Sequence, residues 1–394
     1  MPLLPKIEKV TRDATITHFL LMFGYKLFSL YFPLFLVARG FSLPEVGYTY
    51  LLIYLPIALF APFVGFLNHK INPAVLAFLG ILGYSLYALG MILIRNPALF
   101  YFWQVLLGIS AALFFVSARA FLMGSPLENP DRAFAWFYTA PFYADAIAPA
   151  IGALFIWKFD FLGVFLFSLI LQFFTAIYCF IQLRKQTFSL VDKGFQLETT
   201  FKNYQKVFDK IKERATFPFI SISLSVLLLT GFYHAFFILF LKENLFWSQN
   251  QILLFGSLLS LLFLPASLWV IKIVGQQKSE KNIFQGGLIA GFFSIIFGLI
   301  SVFLTFWLSI FLMIGKSIGA LMTGSGRSGI LTTKLKEYPE ESAALDTIFA
   351  PFGMAFGALI GGLIVGVFGY PLIFLLGGIF ILLVGILSRK FAKI

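Results

Sequence analysis

The chain alternates between long apolar runs and short polar breaks, and the runs recur at the length a helix needs to cross a bilayer. About 20 apolar residues in helical form span the ~30 Å of hydrocarbon. A window of that size finds runs at 15–37, 44–67, 73–94, 98–123, 133–157, 161–183, 217–241, 250–274, 283–303, 305–331, 342–368 and 370–387. The period-two alternation of a membrane barrel is missing from all of them, so the pattern predicts helices. The expected fold is an all-α polytopic membrane protein with twelve transmembrane helices.

One long polar stretch, 184–216, falls between the sixth and seventh runs. It divides the chain into a first six-helix bundle (1–190), a linker (191–215) and a second six-helix bundle (216–394). Within the linker Phe201, Tyr204, Phe208 and Ile211 recur at helical spacing among Lys202, Lys206, Lys210 and Lys212. That spacing suits a helix lying on the membrane surface, and equally a solvated connector.

Composition supports the membrane assignment, since 60% of the 394 residues are hydrophobic and 12% charged. A soluble domain carries ~25% charged residues. The formal charge of +12 would suggest nucleic acid, but position decides otherwise. Of 29 Lys and Arg, 23 fall in or beside one set of loops and the termini, and four in the other set. Basic loops stay inside, so the expectation is a multi-pass protein of the cytoplasmic membrane with both termini cytoplasmic. The N-terminus shows no signal-peptide pattern, and the single Cys179 excludes a disulfide framework.

The two halves repeat each other at a shift of 208 to 209 residues. Gly83 falls on Gly291, Gly90 on Gly298 and Lys70 on Lys278, and Leu55–Pro56 falls on Leu264–Pro265. Ala144, Ala148 and Gly152 of span 5 fall on Gly353, Gly357 and Gly361 of span 11, small residues at every fourth position that let helices approach closely. Parallel six-span repeats suit a two-bundle carrier with a central site.

Over its whole length the chain resembles the major facilitator superfamily. The loop after span 2 reads G-F-L-N-H-K-I-N-P from Gly65, similar to the family's G-x-L-x-D-R-x-G-R loop, with Gly65, Leu67 and Lys70 matching in kind and His69 standing where the family has an acid. Span 5 carries A-P-A-I-G-A from Ala148, similar to a G-P-x-x-G-G motif typical of the drug/proton antiporter branch, and so singles out Pro149 and Gly152. Span 4 has Gln104 where the family often has arginine. The resemblance implies two pseudo-symmetric bundles, with spans 1, 4, 7 and 10 lining a central cavity.

Charges inside the spans need a reason, because an ionised side chain at mid-bilayer costs ~2.5–3.5 kcal/mol on insertion scales. Lys26 and Lys316 each lie about eleven residues into spans that the resemblance places at the cavity. Asp145 sits at similar depth in span 5, where it is an ion-pair partner of Lys26, a proton or cation site, or a solvated wall residue. The repeat separates construction from chemistry: Arg119 and Arg327 coincide at the shift and read as anchors, whereas Lys316 and Asp145 have no charged counterpart. Lys26 falls on Tyr233 or His234, at a shift of 207 or 208. His234 reads as a lining residue or a proton relay.

These residues give a candidate substrate site of Lys26, Lys316, His234, Tyr233, Gln104 and Ser29, with Asp145 for proton coupling. Gly65, Lys70, Pro149, Gly152, Arg119, Arg327 and Asp346 form a gating and structural set. The scattered histidines give no metal-ligand cluster, and no cofactor is implied. G-S-G-R-S-G at 324–329 matches a dinucleotide fingerprint in letters only, because it closes a membrane span. The expected function is a secondary active transporter, working as a monomer in the bilayer and moving a small organic, anionic or amphipathic solute by alternating access, in the direction of proton-coupled export. A facilitated uptake carrier or lipid flippase of the same fold, and a membrane-embedded lipid-modifying enzyme, are the alternatives. A carrier, not an enzyme, is the reading the residues favour, with no nucleic-acid partner.

Overall fold

The computed structural model describes residues 5–32, 35–36, 39–41, 43–94, 96–184 and 197–392. Its helices are α1 Lys9–Ser29, α2 Leu43–Asn68, α3 Pro73–Leu93, α4 Pro97–Met123, α5 Pro130–Arg184, α6 Leu197–Lys212, α7 Phe217–Glu243, α8 Gln249–Val274, α9 Ser279–Leu299, α10 Phe306–Lys334, α11 Pro339–Phe368 and α12 Tyr370–Ala392. Among the described residues there is no strand. The 55-residue α5 is two arms, because Asp160 breaks it with φ 58°. The Asp160 carboxylate accepts from the adjacent Phe161 amide at 2.9 Å, where span 6 was expected to begin. Two arms of α5, with α1–α4 and α7–α12, make the twelve crossings of a multi-pass membrane protein.

Short polar caps explain why so many helices restart cleanly. Asn72 accepts from the Ala74 amide ahead of Pro73, and Asn96 accepts from the Leu99 amide ahead of Pro97. Ser248 and Gln251 form a reciprocal capping box at the start of α8. Each cap satisfies donors that the hydrocarbon edge would otherwise leave orphaned.

Packing within the halves follows the repeat. In the first half α1 lies between the two arms of α5. Gly152 meets the Leu27 backbone, Tyr31 donates to the Pro149 carbonyl at 2.8 Å, and Ser168 donates to the Gly24 carbonyl at 2.8 Å. In the second half Gly353 and Gly357 of α11 sit against Leu227 and Leu228 of α7. The small-residue stripes thus do the same work twice: a Cβ at Gly152 or at Gly357 would strike the backbone of the neighbouring helix. Between halves, α2 packs on α11 and the first arm of α5 on α8.

The linker boundary expected at 190 and 191 lies in 185–196, outside the described residues. The helix expected after it is α6, but its stripe is divided. Val207 and Ile211 are buried and Tyr204 donates to the Pro62 carbonyl at 2.9 Å, whereas Phe201 and Phe208 are exposed. Helix α6 is therefore docked on the protein along one face and leaves two aromatic rings on another.

Candidate functional site

At mid-depth the two halves face each other with different charges. In the first half the Lys26 ammonium lies 3.0 Å from the Asp145 carboxylate, and the two side chains are 24% and 30% exposed. Exposure at that depth leaves both facing an uncovered space, the central chamber that the resemblance implies. Of the three readings open for Asp145, the ion pair with Lys26 is the contact observed.

In the second half Lys316 of α10 is 7% exposed, and its ammonium stands 4.5 Å from the centre of the Tyr233 ring. No ion pair or hydrogen bond reaches Lys316 among the described residues. Tyr233 is held in place from below: Ser294 donates to the Phe374 carbonyl at 2.9 Å, so the Tyr233 hydroxyl, 3.2 Å away, donates to Ser294. A cation over a ring gains ~0.5–2 kcal/mol, less than an ammonium loses on leaving water. His234, beside Tyr233, is exposed to the chamber and feels the charges of both Lys26 and Lys316. Lys26 and Asp145 cancel, so the chamber is left with the positive charge of Lys316.

The end of the molecule that carries both termini is latched. Asp346 of α11 is fully buried and receives Arg327 of its own half at 2.6 Å and Arg119 of the other half at 3.3 Å. Tyr138 of α5 and Ser328 donate to its second oxygen at 2.8 and 2.7 Å. Arg119 also donates to Thr347 at 2.7 Å. Two further contacts flank this one. Asp131 at the start of α5 accepts from Ser279 and Asn282 of α9, both at 2.6 Å. Glu341 of α11 meets His69 of the α2–α3 loop at 2.9 Å and Asn203 of α6 at 3.1 Å. Deeper in, Tyr143 meets Ser267 at 3.1 Å and Phe142 meets Phe263 at 4.6 Å between ring centres. Together these contacts join the halves at one end, which leaves the uncovered surface at Lys26, Asp145 and His234 to open toward the other.

The remaining expected residues divide. Arg119, Arg327 and Asp346 come together in the latch. Gly65 lies where a Cβ would strike Tyr204, Ala344 and the Glu340 carbonyl, at the contact of α2 with α11. Lys70 stands over the Phe66 ring at 5.7 Å. Ser29 is half-buried at the end of α1. Gln104 is corrected: it is 0% exposed, accepts from the Tyr87 hydroxyl at 3.2 Å and donates to the Phe100 carbonyl at 3.4 Å, so it braces α3 on α4 instead of facing the chamber. His69, Glu340 and Glu341 bring ligand-type atoms within 4.8 Å of one another, a grouping the sequence reading missed. The imidazole meets Glu340 and Glu341 through different ring nitrogens, as a charge-paired contact does, not as ligands converging on one ion. The tyrosines of the first half's chamber wall, Tyr25, Tyr50, Tyr54 and Tyr84, were also missed, although Tyr25 coincides with Tyr233 at a shift of 208.

A family model described as Major Facilitator Superfamily matches residues 14–348. No curated protein matches the sequence. Among solved structures, the human organic anion transporter MFSD10 (TETRAN) is similar with TM-score 0.74 at 13% identity, over 96% of this chain and 99% of that one. A bacterial homologue of the iron transporter ferroportin in an outward-facing state has TM-score 0.74 at 14% identity, over 98% and 100%. A variant of the E. coli fucose:proton symporter FucP has TM-score 0.74 at 12% identity, over 97% and 98%. At these identities the likeness is one of fold.

Proposed function

The chain belongs to the Major Facilitator Superfamily, and from that premise we propose that it is a secondary transporter for a small organic anion, working by alternating access around Lys316. The observation that carries this reading is the solitary ammonium of Lys316 beside the chamber, with a ring beneath it and no carboxylate to answer it. An anion entering from the open end would supply the missing partner and recover part of the desolvation cost. Similarity in fold to a human organic anion transporter agrees with this substrate class.

Asp145 is the coupling group in this reading. A proton on Asp145 would cancel the ion pair at 3.0 Å and release Lys26 into the chamber, raising its positive charge from one to two. Proton binding and anion binding would then favour each other through a shared site, which is coupling in the thermodynamic sense. Rocking of the halves about α2–α11 and α5–α8 would open the latched end. Mutually favourable binding carries proton and anion across together, so this arrangement supports symport and argues against the antiport suggested by the motif of span 5.

The test is flux in proteoliposomes of purified full-length protein, with radiolabelled aromatic and aliphatic carboxylates and an imposed pH gradient. Lys316→Gln is expected to lower apparent anion affinity by roughly 10- to 100-fold, the worth of a charge-assisted hydrogen bond, while Lys316→Arg retains most of it. Unchanged flux in Lys316→Gln would remove Lys316 from the site and with it this reading.

A further inference from the structure

The wall beside Lys26 carries four tyrosine hydroxyls that none of the contacts above uses. Tyr25 is on α1, Tyr50 and Tyr54 lie one turn apart on α2, and Tyr84 is on α3. The Tyr25 and Tyr84 rings meet edge to face, 5.7 Å apart at 89°. The Tyr25 hydroxyl neighbours those of Tyr54, Tyr87, Tyr50 and Tyr84 closely enough for electrostatic coupling, and Tyr54 neighbours the Lys26 ammonium in the same way. Nearby Tyr87 differs, because its hydroxyl is taken by Gln104.

None of the four hydroxyls has a hydrogen-bond partner among the described residues, and none is sealed away from solvent. A buried phenol ordinarily finds a partner, because dehydrating it without one is unfavourable. Phenylalanine would fill the same space without that penalty, and the chain uses it freely, with 53 Phe against 15 Tyr. Three of the hydroxyls are also not needed to build a bundle, Tyr25 alone having a tyrosine counterpart in Tyr233. At shifts of 208 and 209, Tyr50 falls on Leu258 or Leu259, Tyr54 on Leu262 or Phe263, and Tyr84 on Phe292 or Phe293. The second half makes the same helices with apolar residues at all three places.

We propose that Tyr25, Tyr50, Tyr54 and Tyr84 form a subsite for a hydroxylated ring carried by the transported anion, whose charged group sits across the chamber at Lys316. This rests on the anion reading given above and adds the shape and polarity of the rest of the substrate. Aromatic walls favour a flat or ring-shaped body. Four phenols, each both donor and acceptor, match a ring bearing hydroxyl groups of its own. The Lys26–Asp145 pair beside them offers one further donor and acceptor at no net charge. An aliphatic tail would strip water from these groups and return nothing, and an organic cation would meet Lys316.

The experiment measures binding to the purified full-length protein by calorimetry and thermal stabilisation, with hexanoate, benzoate, a dihydroxybenzoate, glucuronate and neutral catechol as probes. The wild type is expected to bind dihydroxybenzoate about tenfold more tightly than benzoate, the worth of one or two net hydrogen bonds, and hexanoate most weakly. Glucuronate tells whether the ring must be aromatic. Tyr54→Phe with Tyr84→Phe keeps both rings, and is expected to equalise dihydroxybenzoate and benzoate while leaving benzoate affinity unchanged. Lys316→Gln is expected to weaken all the carboxylates by one factor and leave catechol untouched. A wild type without preference for the hydroxylated rings, or a preference that survives the double variant, overturns the subsite. If no carboxylate binds but catechol does, and loses affinity in the double variant, the subsite stands and the anion reading falls.

Discussion

At the latched end Asp346 is answered by Arg327, Arg119, Tyr138 and Ser328, whereas in the chamber Lys316 has only the face of Tyr233. Both places hold charge away from bulk water, where each ion loses several kcal/mol of hydration. At the latch the loss is offset from within the protein, by an acid shared between the halves and by Thr347 and Ser223 on the two guanidiniums. In the chamber it is left to something that arrives from outside. The difference teaches which charges hold the molecule in its present state and which are kept in reserve for a ligand. It also matches the repeat: Arg119 and Arg327 recur at 208, and Lys316 does not recur.

The largest effect is expected from removing the shared acid. Asp346→Asn would leave Arg119 and Arg327 buried without a counter-charge, at a cost of about 3–5 kcal/mol. The latch should part, with faster maleimide labelling of a cysteine placed at Ala135 or Ser325 and a clear drop in melting temperature. The one native cysteine, Cys179, is buried and gives little background. Wild-type labelling and melting in Asp346→Asn would mean that the carboxylate does not hold this end shut.

Next in size is the pair that lies between the two extremes, partly exposed and internally neutralised. Asp145→Asn is expected to cost only about 1 kcal/mol, because water already screens both partners. Its effect on binding should be larger than on stability. With Lys26 released, the chamber carries a second positive charge, and divalent carboxylates should gain several-fold over monovalent ones in competition assays. The pH dependence of flux should flatten in the same variant. If neither the valence preference nor the pH profile changes, the pair is a brace between α1 and α5, and Lys316 alone carries the electrostatics of the chamber.

Much of this arrangement was legible before any coordinates, and the parts that were not share a cause. Spans, halves and the two arginine anchors are written in local composition and in a repeat that one sequence displays by itself. The small-residue stripe of span 5 was readable for the same reason, since Gly152 and Gly361 keep their period. Gln104 misled because depth in a span does not tell which neighbour a side chain faces, and here Tyr87 and Met91 of α3 claim its amide. His69 gave no hint of Glu341, which lies 272 residues away. The tyrosine wall was hidden by abundance: in a chain with 53 Phe, aromatic stripes are the background, and this one is assembled from three separate helices.

The smallest effect separates two contacts that flank the latch and are related by the repeat, since Glu340 follows Asp131 by 209 residues. Asp131 is met by the neutral donors Ser279 and Asn282, whereas Glu341, next to Glu340, is met by His69. Glu341 precedes the apolar span that begins at 342. Burial works against its charged form, but the hydrogen bond and charge of His69, with Asn203, outweigh that and hold its carboxyl below the usual carboxylate range. A depressed value in the folded state means that the contribution is fully present above the ordinary carboxylate value and is lost as pH falls through the lowered one. On the alkaline side the imidazole loses its proton, and a neutral hydrogen bond of about 1 kcal/mol remains. A cysteine placed at Ala344 should therefore label slowest at intermediate pH and a few-fold faster in acid. Glu341→Gln should abolish the acid limb, and His69→Gln should flatten the alkaline one while keeping a hydrogen bond to Glu341. An unchanged acid limb in Glu341→Gln would move the pH response to Asp131, the other buried carboxylate that joins the halves beside the latch.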